Sequence, residues 1–323
     1  MKMNSTTFLF LNTMMLGVMV SASANNWIMI WSGMEISMMS FVPLIMNKSV
    51  LSNESSMKYF IMQSISSSIM MLGVMMVMMS LEVLFKTVLI TSLLVKTGMF
   101  PFQNWVMIMI EGMSYESSFI FLSMLKIAPL IIMGYLDMKL EFISLLNLMM
   151  GAILSLNQTS MRKIMAYSSV FNMGFMISSI KFFNIWFLYF LIYSLMLMLI
   201  FIQLKKFNIN FINHIIMSEY MMTSKIQLWI NVLSMGGMPP MLGFLSKMIV
   251  IQLMMELNKF ILTLIMIISS LIMMFIYLRF TFLSLMIFSS SMKWFKLSSK
   301  MSMFPMIINL FSTMMLLLTK PLS

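Results

Sequence analysis

The chain has no cysteine and a single histidine, His214. The first absence excludes disulfides, thiolate-held iron–sulfur clusters and cysteine catalysis; the second excludes a histidine-rich metal site. Charge is scarce too. Charged residues make up 9% of 323 positions, against roughly 25% in soluble domains. The alternating ten-residue segments of a membrane β-barrel are missing. So is an Arg-rich amphipathic presequence, and no cleavable signal is expected, because Lys2 leads into an apolar run that continues to Ala24 as a first span.

What is present is apolar. Hydrophobic residues account for 61% of the chain and methionine alone for 52 positions. Apolar runs near 20 residues recur between short charged or Asn/Ser-rich segments, the length a helix needs to cross about 30 Å of hydrocarbon. This pattern predicts an all-α polytopic membrane protein. Nothing in bilayer physics asks for so much methionine in place of Leu or Ile. An AT-rich organelle genome that reads ATA as Met explains it more economically, which points to mitochondrial coding.

Spans are expected at about residues 5–24, 26–46, 59–80, 84–106, 117–136, 140–157, 163–180, 183–204, 227–253, 260–284 and 303–319, roughly eleven helices in one transmembrane domain over 1–323. The net charge of +11 lies in short loops rather than on an extended basic face, which argues against nucleic acid as a partner. With the N-terminus inside, one set of loops collects Lys2, Lys48, Lys58, Arg162, Lys163, Lys205, Lys206, Lys225, Lys293, Lys296 and Lys300. The other holds only Lys86, Lys139, Lys181, Lys259 and Lys320. The positive-inside rule then places the N-terminus in the mitochondrial matrix and the C-terminus in the intermembrane space.

Two spans carry helix breakers in opposite order. The fourth reads LLVKTGMFPFQN, with Lys96 before Gly98 and Pro101; the ninth reads MGGMPPMLGFLSK, with Gly236, Gly237, Pro239, Pro240 and Gly243 before Lys247. A membrane tolerates such breaks only where protein or water re-satisfies the freed backbone groups. Broken helices in two antiparallel halves mark inverted-repeat transporters, with the ion path near the midplane. The expected halves are residues 5–136 and 140–288, five helices each, followed by a last helix at 303–319.

Most carboxylates fall in loops or at span ends: Glu54, Glu82, Glu116, Asp137, Glu141, Glu219 and Glu256. Glu111 follows the broken fourth span at the edge of any water entrance there. Arg279, near the end of its span, reads as a snorkelling side chain. Glu35, Lys96, Lys126 and Lys247 are different, each about 8 to 12 residues, or roughly 12 to 18 Å, inside an apolar run. Inserting each costs about 2.5 to 3.5 kcal/mol, together on the order of a whole domain's stability. A lysine shifts its pKa downward when desolvated and upward beside a carboxylate, so a Glu–Lys pair that opens and closes works as a proton switch. These four residues are the candidate proton relay. Side chains available to fill the gaps are Ser66, Ser67, Ser68, Ser92, Thr97, Ser123, Tyr167, Ser168, Ser169, Asn172 and Ser234, each equally suited to holding helices together.

The segments WSGMEIS (31–37), LLVKTGMFPFQNW (93–105), LKIAPL (125–130), MRKIMAYSSVFNMGF (161–175) and MGGMPPMLGFLSK (235–247) resemble the antiporter-like membrane subunits of respiratory complex I, the subunit 2 group among them, in order and over nearly the whole chain. That family is related to bacterial multisubunit cation/proton antiporters. The resemblance implies that Glu35 is the membrane glutamate and Lys96 its partner on the first broken helix. It makes Lys126 the central lysine ahead of Ala128 and Pro129, and Lys247 the lysine of the second broken helix. Many relatives carry His where this chain has Asn172, so any proton step there must use water or another side chain.

The resemblance further implies a subunit that moves protons while redox chemistry proceeds elsewhere. The chain shows no Gly-rich dinucleotide fingerprint, so no cofactor is expected on it; NADH, FMN, iron–sulfur clusters and ubiquinone belong to other subunits. Implied partners are a neighbouring antiporter-like subunit, small membrane subunits of the complex, and lipids such as cardiolipin. The alternatives are an independent cation/proton antiporter subunit and a structural subunit without its own proton path.

Overall fold

The computed structural model describes residues 5–47, 49–78, 82–136, 138, 140–212, 214 and 222–288. The expected last span at 303–319 lies outside these residues, as do Lys2, Lys48, Lys139, Lys293, Lys296, Lys300, Lys320, Asp137 and Glu219. Among the described residues the regular structure is all helical, and the one β-type pairing is an isolated bridge between Ser160 and Phe211. In hydrocarbon every backbone N–H and C=O has to be satisfied within the protein, and the helix does this residue by residue.

The chain divides into two compact units, residues 1–140 and 141–323. In the first unit the helices are α1 (Ser5–Ser23), α2 (Trp27–Ile45), α3 (Val50–Met78), α4 (Glu82–Thr97), α5 (Asn104–Gly112), α6 (Tyr115–Leu122) and α7 (Met124–Tyr135). Helix α3 packs on α2, α4 and α5, and α7 packs on α1, α4 and α6. Helices α1 and α2 approach through glycine: a Cβ on Gly17 would lie 2.7 Å from the Ser37 nitrogen, and one on Gly33 2.6 Å from that of Ser21. Small residues bring backbones together in this way where no hydrophobic force acts between helices.

The second unit contains α8 (Glu141–Ser155), α9 (Met161–Ser178), α10 (Phe183–Lys206), α11 (Met222–Gly236), α12 (Leu242–Glu256) and α13 (Phe260–Phe288). Helix α8 packs on α9 and α13, α10 on α9, α11 and α12, and α13 also on α11 and α12. Along α13, Ile261, Leu264, Ile268, Leu271 and Phe275 are exposed while Leu262, Met266, Met273, Tyr277 and Phe280 are buried. Both faces are apolar, the pattern of a helix whose outer face meets lipid rather than water.

Each expected span up to residue 284 has its helix or helix pair, and four differ from an unbroken rod of the expected length. Helix α3 begins at Val50, well before the expected 59, because the polar stretch LSNESSMK continues the helix beyond the hydrocarbon. Its turns are held by the Glu54–Lys58 pair and by the Ser52 hydroxyl on Ser49 O at 2.7 Å. The fourth and ninth spans break as their Gly and Pro residues predict. Helices α4 and α5 are about 24 and 14 Å long at 1.5 Å per residue, each short of the hydrocarbon core. The fifth span, expected to be continuous, turns at Ser123 (φ −114°, ψ −78°) between α6 and α7. There the Ser123 hydroxyl donates back to Phe119 O at 2.7 Å, a bond that bends helices. Pro129 also deprives the Leu125 carbonyl of its helical donor.

Candidate functional site

The break after α4 sets the first site. Gly98 takes φ +66°, which only glycine adopts freely. Its N–H reaches Val95 O at 3.2 Å and the Met99 N–H reaches Leu94 O at 3.1 Å, the hydrogen-bond pattern of a Schellman cap. The Phe100–Pro101 peptide is cis. Lys96 therefore stands on the last turn of a half-helix that stops inside the bundle, and only 8% of it is exposed.

Lys96 and Lys126 line one cavity of about 20 Å³, walled also by Tyr59, Gln63, Thr97 and Pro129. That is room for a single water molecule. Lys126 is 3% exposed, and its backbone N–H bonds Ser123 O at 3.1 Å, at the turn between α6 and α7. The turn and Pro129 together bring the lysine's helix to the cavity wall with loosened backbone on both sides.

Glu35 lies on α2, one residue beyond Met34, whose sulfur is 3.9 Å from the Lys96 Nζ. No ion pair joins Glu35 to Lys96 among the described residues. Glu35 Oε1 is buried with no hydrogen-bond partner. A buried carboxylate oxygen in that state is costly to maintain. The Lys96 ammonium is turned toward a soft sulfur instead.

Lys247 belongs to the second unit and has a setting of its own. The break after α11 repeats the first: Gly237 has φ +86°, its N–H reaches Ser234 O at 3.1 Å, and the Met238 N–H reaches Leu233 O at 3.3 Å. Gly243 lets α12 start against the end of α11, since a Cβ there would fall 1.8 Å from Ser234 O. From α12, Lys247 Nζ donates to Gly236 O at 2.7 Å and Met235 O at 3.3 Å, and lies 5.2 Å from the centre of the Phe171 ring. A cation at a helix C-terminus meets the negative end of the helix dipole.

Most hydroxyls named as relay material face their own helix. Ser66, Ser67, Ser68, Ser92, Ser123, Ser168, Ser169 and Ser234 donate to carbonyls three or four residues earlier. Thr97 does so too, onto Leu93 O at 2.8 Å, yet it also lines the cavity. Asn172 accepts from the Tyr189 hydroxyl at 2.8 Å. Arg279 reaches Gln158 O at 3.5 Å, a backbone contact in the segment between α8 and α9. Glu141 pairs with Lys259 at 2.8 Å. Tyr59 and Gln63 are the residues sequence reasoning passed over. The one signal was a glutamine inside an expected span, and the serines beside it mask that signal.

Two breaks, each ending a half-helix at a buried lysine site, define a membrane protein of the transporter-like class. The family model described as NADH:quinone oxidoreductase/Mrp antiporter, transmembrane, matches residues 24–273, and the chain belongs to that family. It is 33% identical over 331 residues to the NADH-ubiquinone oxidoreductase chain 2 of Locusta migratoria, covering 98% of this chain and 96% of that one. To the protein of the same name from Bos taurus it is 32% identical over 347 residues, covering 99% of each. Its fold is similar to a chain of respiratory complex I from Thermus thermophilus, with TM-score 0.81, 16% identity and coverage of 98% of this chain and 78% of that one. It is also similar to a chain of the Mrp complex from Dietzia, with TM-score 0.71, 14% identity and coverage of 84% and 59%.

Proposed function

We propose that this chain is a core membrane subunit of respiratory complex I that takes part in proton translocation across the mitochondrial inner membrane, coupled to NADH oxidation and ubiquinone reduction. The observation that carries the reading is the shared cavity of Lys96 and Lys126, two buried lysines around space for one water, with Glu35 next in sequence to the Met34 that touches Lys96. In the first unit a proton on Lys96 passes through that water to Lys126. Reprotonation of Lys96 is governed by how near Glu35 stands. Lys247 acts as a separate station at the second break. The enzyme concerned is the H+-translocating NADH:ubiquinone reductase, to which this chain contributes no redox centre of its own. NADH, FMN, iron–sulfur clusters and ubiquinone are assigned to other subunits, since a chain without cysteine offers no thiolate ligands.

The partners in this reading are a neighbouring antiporter-like subunit, small membrane subunits and lipids such as cardiolipin. The N-terminus faces the matrix and the C-terminus the intermembrane space. The test is Lys96→Met in the assembled complex in inner-membrane vesicles. Assembly is expected to persist while coupled quinone reduction and acidification fall together; normal pumping by the assembled variant sinks the assignment.

A second reading, an independent sodium/proton antiporter, is favoured by the likeness to the Mrp chain. It requires redox-independent exchange that depends on sodium. The first reading requires NADH-dependent acidification that survives its removal.

A further inference from the structure

At each helix break two carbonyls are bonded by the N–H groups of the glycine turn, and the next one toward the helix C-terminus is left to another partner. After α4 the turn takes Val95 O and Leu94 O; after α11 it takes Ser234 O and Leu233 O. The following carbonyls are those of Lys96 and Met235. Both point out of a helix end that is buried in protein, where an unsatisfied carbonyl is costly. Each accepts from a side chain on another helix. Met235 O accepts from Lys247 Nζ at 3.3 Å, and Lys96 O accepts from Gln63 Nε2 at 3.0 Å.

The two caps differ chemically. At the second break the capping group is the candidate proton carrier itself. At the first break the cap is a neutral amide on α3, 7% exposed, and Lys96 is left lining the cavity with its Nζ 3.9 Å from the Met34 sulfur. An amide neither gains nor loses a proton, so it holds the carbonyl whatever the charge on the lysine. We infer that Gln63 is a positioning residue for proton transfer: by fixing the Lys96 carbonyl it holds the Lys96 side chain on the cavity it shares with Lys126. This rests on the proposed proton-translocating role of Lys96.

Two variants in the assembled complex in inner-membrane vesicles test it, with Lys96→Met beside them. Gln63→Met keeps the length and removes both N–H donors; Gln63→His restores a ring N–H at similar reach. Turnover per assembled complex and acidification are measured, together with the KM for quinone and the rate of NADH oxidation by an artificial acceptor. The expected result for Gln63→Met is normal assembly, turnover down about fivefold, and KM and artificial-acceptor rate unchanged, with at least half the turnover returned by Gln63→His. Normal turnover in Gln63→Met overturns the inference when Lys96→Met is impaired. So does loss of assembly in Gln63→Met with wild-type turnover in whatever complex forms, which is a structural role. Normal pumping in Lys96→Met instead removes the reading beneath it.

Discussion

Lys247 donates its ammonium to the carbonyl of Gly236 at 2.7 Å, so the lysine that the sequence marks as a proton carrier also closes the end of the half-helix preceding its own. Capping and proton carriage are separable by substitution. Arginine keeps donors for the Gly236 and Met235 carbonyls but does not deprotonate; methionine supplies neither function. Lys247→Arg is expected to assemble while its turnover falls by about a hundredfold or more, within the range that a positioned proton-transfer group contributes. Lys247→Met is expected to lose assembly as well, since each orphaned buried carbonyl costs about 1 to 3 kcal/mol. Assembled complex on native gels and turnover per complex distinguish the two.

Tyr59→Phe isolates a hydroxyl. The ring packs against Phe41 and Phe121 with centroids 5.2 and 6.1 Å away, and phenylalanine preserves that packing. If the hydroxyl helps conduct protons between Glu35 and the lysine cavity, coupled turnover falls several-fold with assembly unchanged. Turnover equal to the parent enzyme removes Tyr59 from the path.

Gly243→Ala is expected to be among the most damaging single-methyl additions in the chain. Its Cβ would sit 1.8 Å from a backbone oxygen, that of Ser234, which has little freedom to move. Overpacking of this kind costs about 1 to 3 kcal/mol or more. At Gly236, outside the positive-φ position, the nearest atom is the Tyr277 ring at 3.2 Å, which has room to give. Thermal inactivation of the assembled complex is expected to shift markedly for Gly243→Ala and little for Gly236→Ala.

The Asn172–Tyr189 bond gives a paired test. Tyr189→Phe leaves Asn172 Oδ1 without its donor in a buried site, at a cost of about 1 to 3 kcal/mol. Combining it with Asn172→Leu removes both polar partners, and the double variant is expected to be more stable than the sum of the single losses. Additive losses would show that the 2.8 Å contact carries no coupling energy.

Glu35, Lys96, Lys126 and Lys247 were legible in the sequence because an ionisable group deep in an apolar run needs a reason to be there. The two breaks were legible because Gly98, Pro101, Gly237 and Pro239 interrupt runs that otherwise read as single spans. Gln63 and Tyr59 were not. Gln63 sits in the stretch MQSISSS, where a glutamine among serines reads as polar filler, and Tyr59 stood at the expected start of a span that in the structure begins at Val50. The turn at Ser123 also escaped, since one serine hydroxyl in an apolar run does not announce whether it will bond its own helix.

What the sequence determined alone is the membrane class, the placing of the spans up to residue 284 and the energetic anomaly of four ionisable residues deep in apolar runs. All of these follow from length, hydropathy and backbone chemistry acting locally along the chain. Only the tertiary structure decided which anomalies meet. It puts Lys96 with Lys126 on one cavity, turns Lys96 to the Met34 sulfur with no ion pair to Glu35, and spends Lys247 on the carbonyls of Gly236 and Met235. Those outcomes depend on how neighbouring helices rotate and where each half-helix stops, and contacts between distant residues set both.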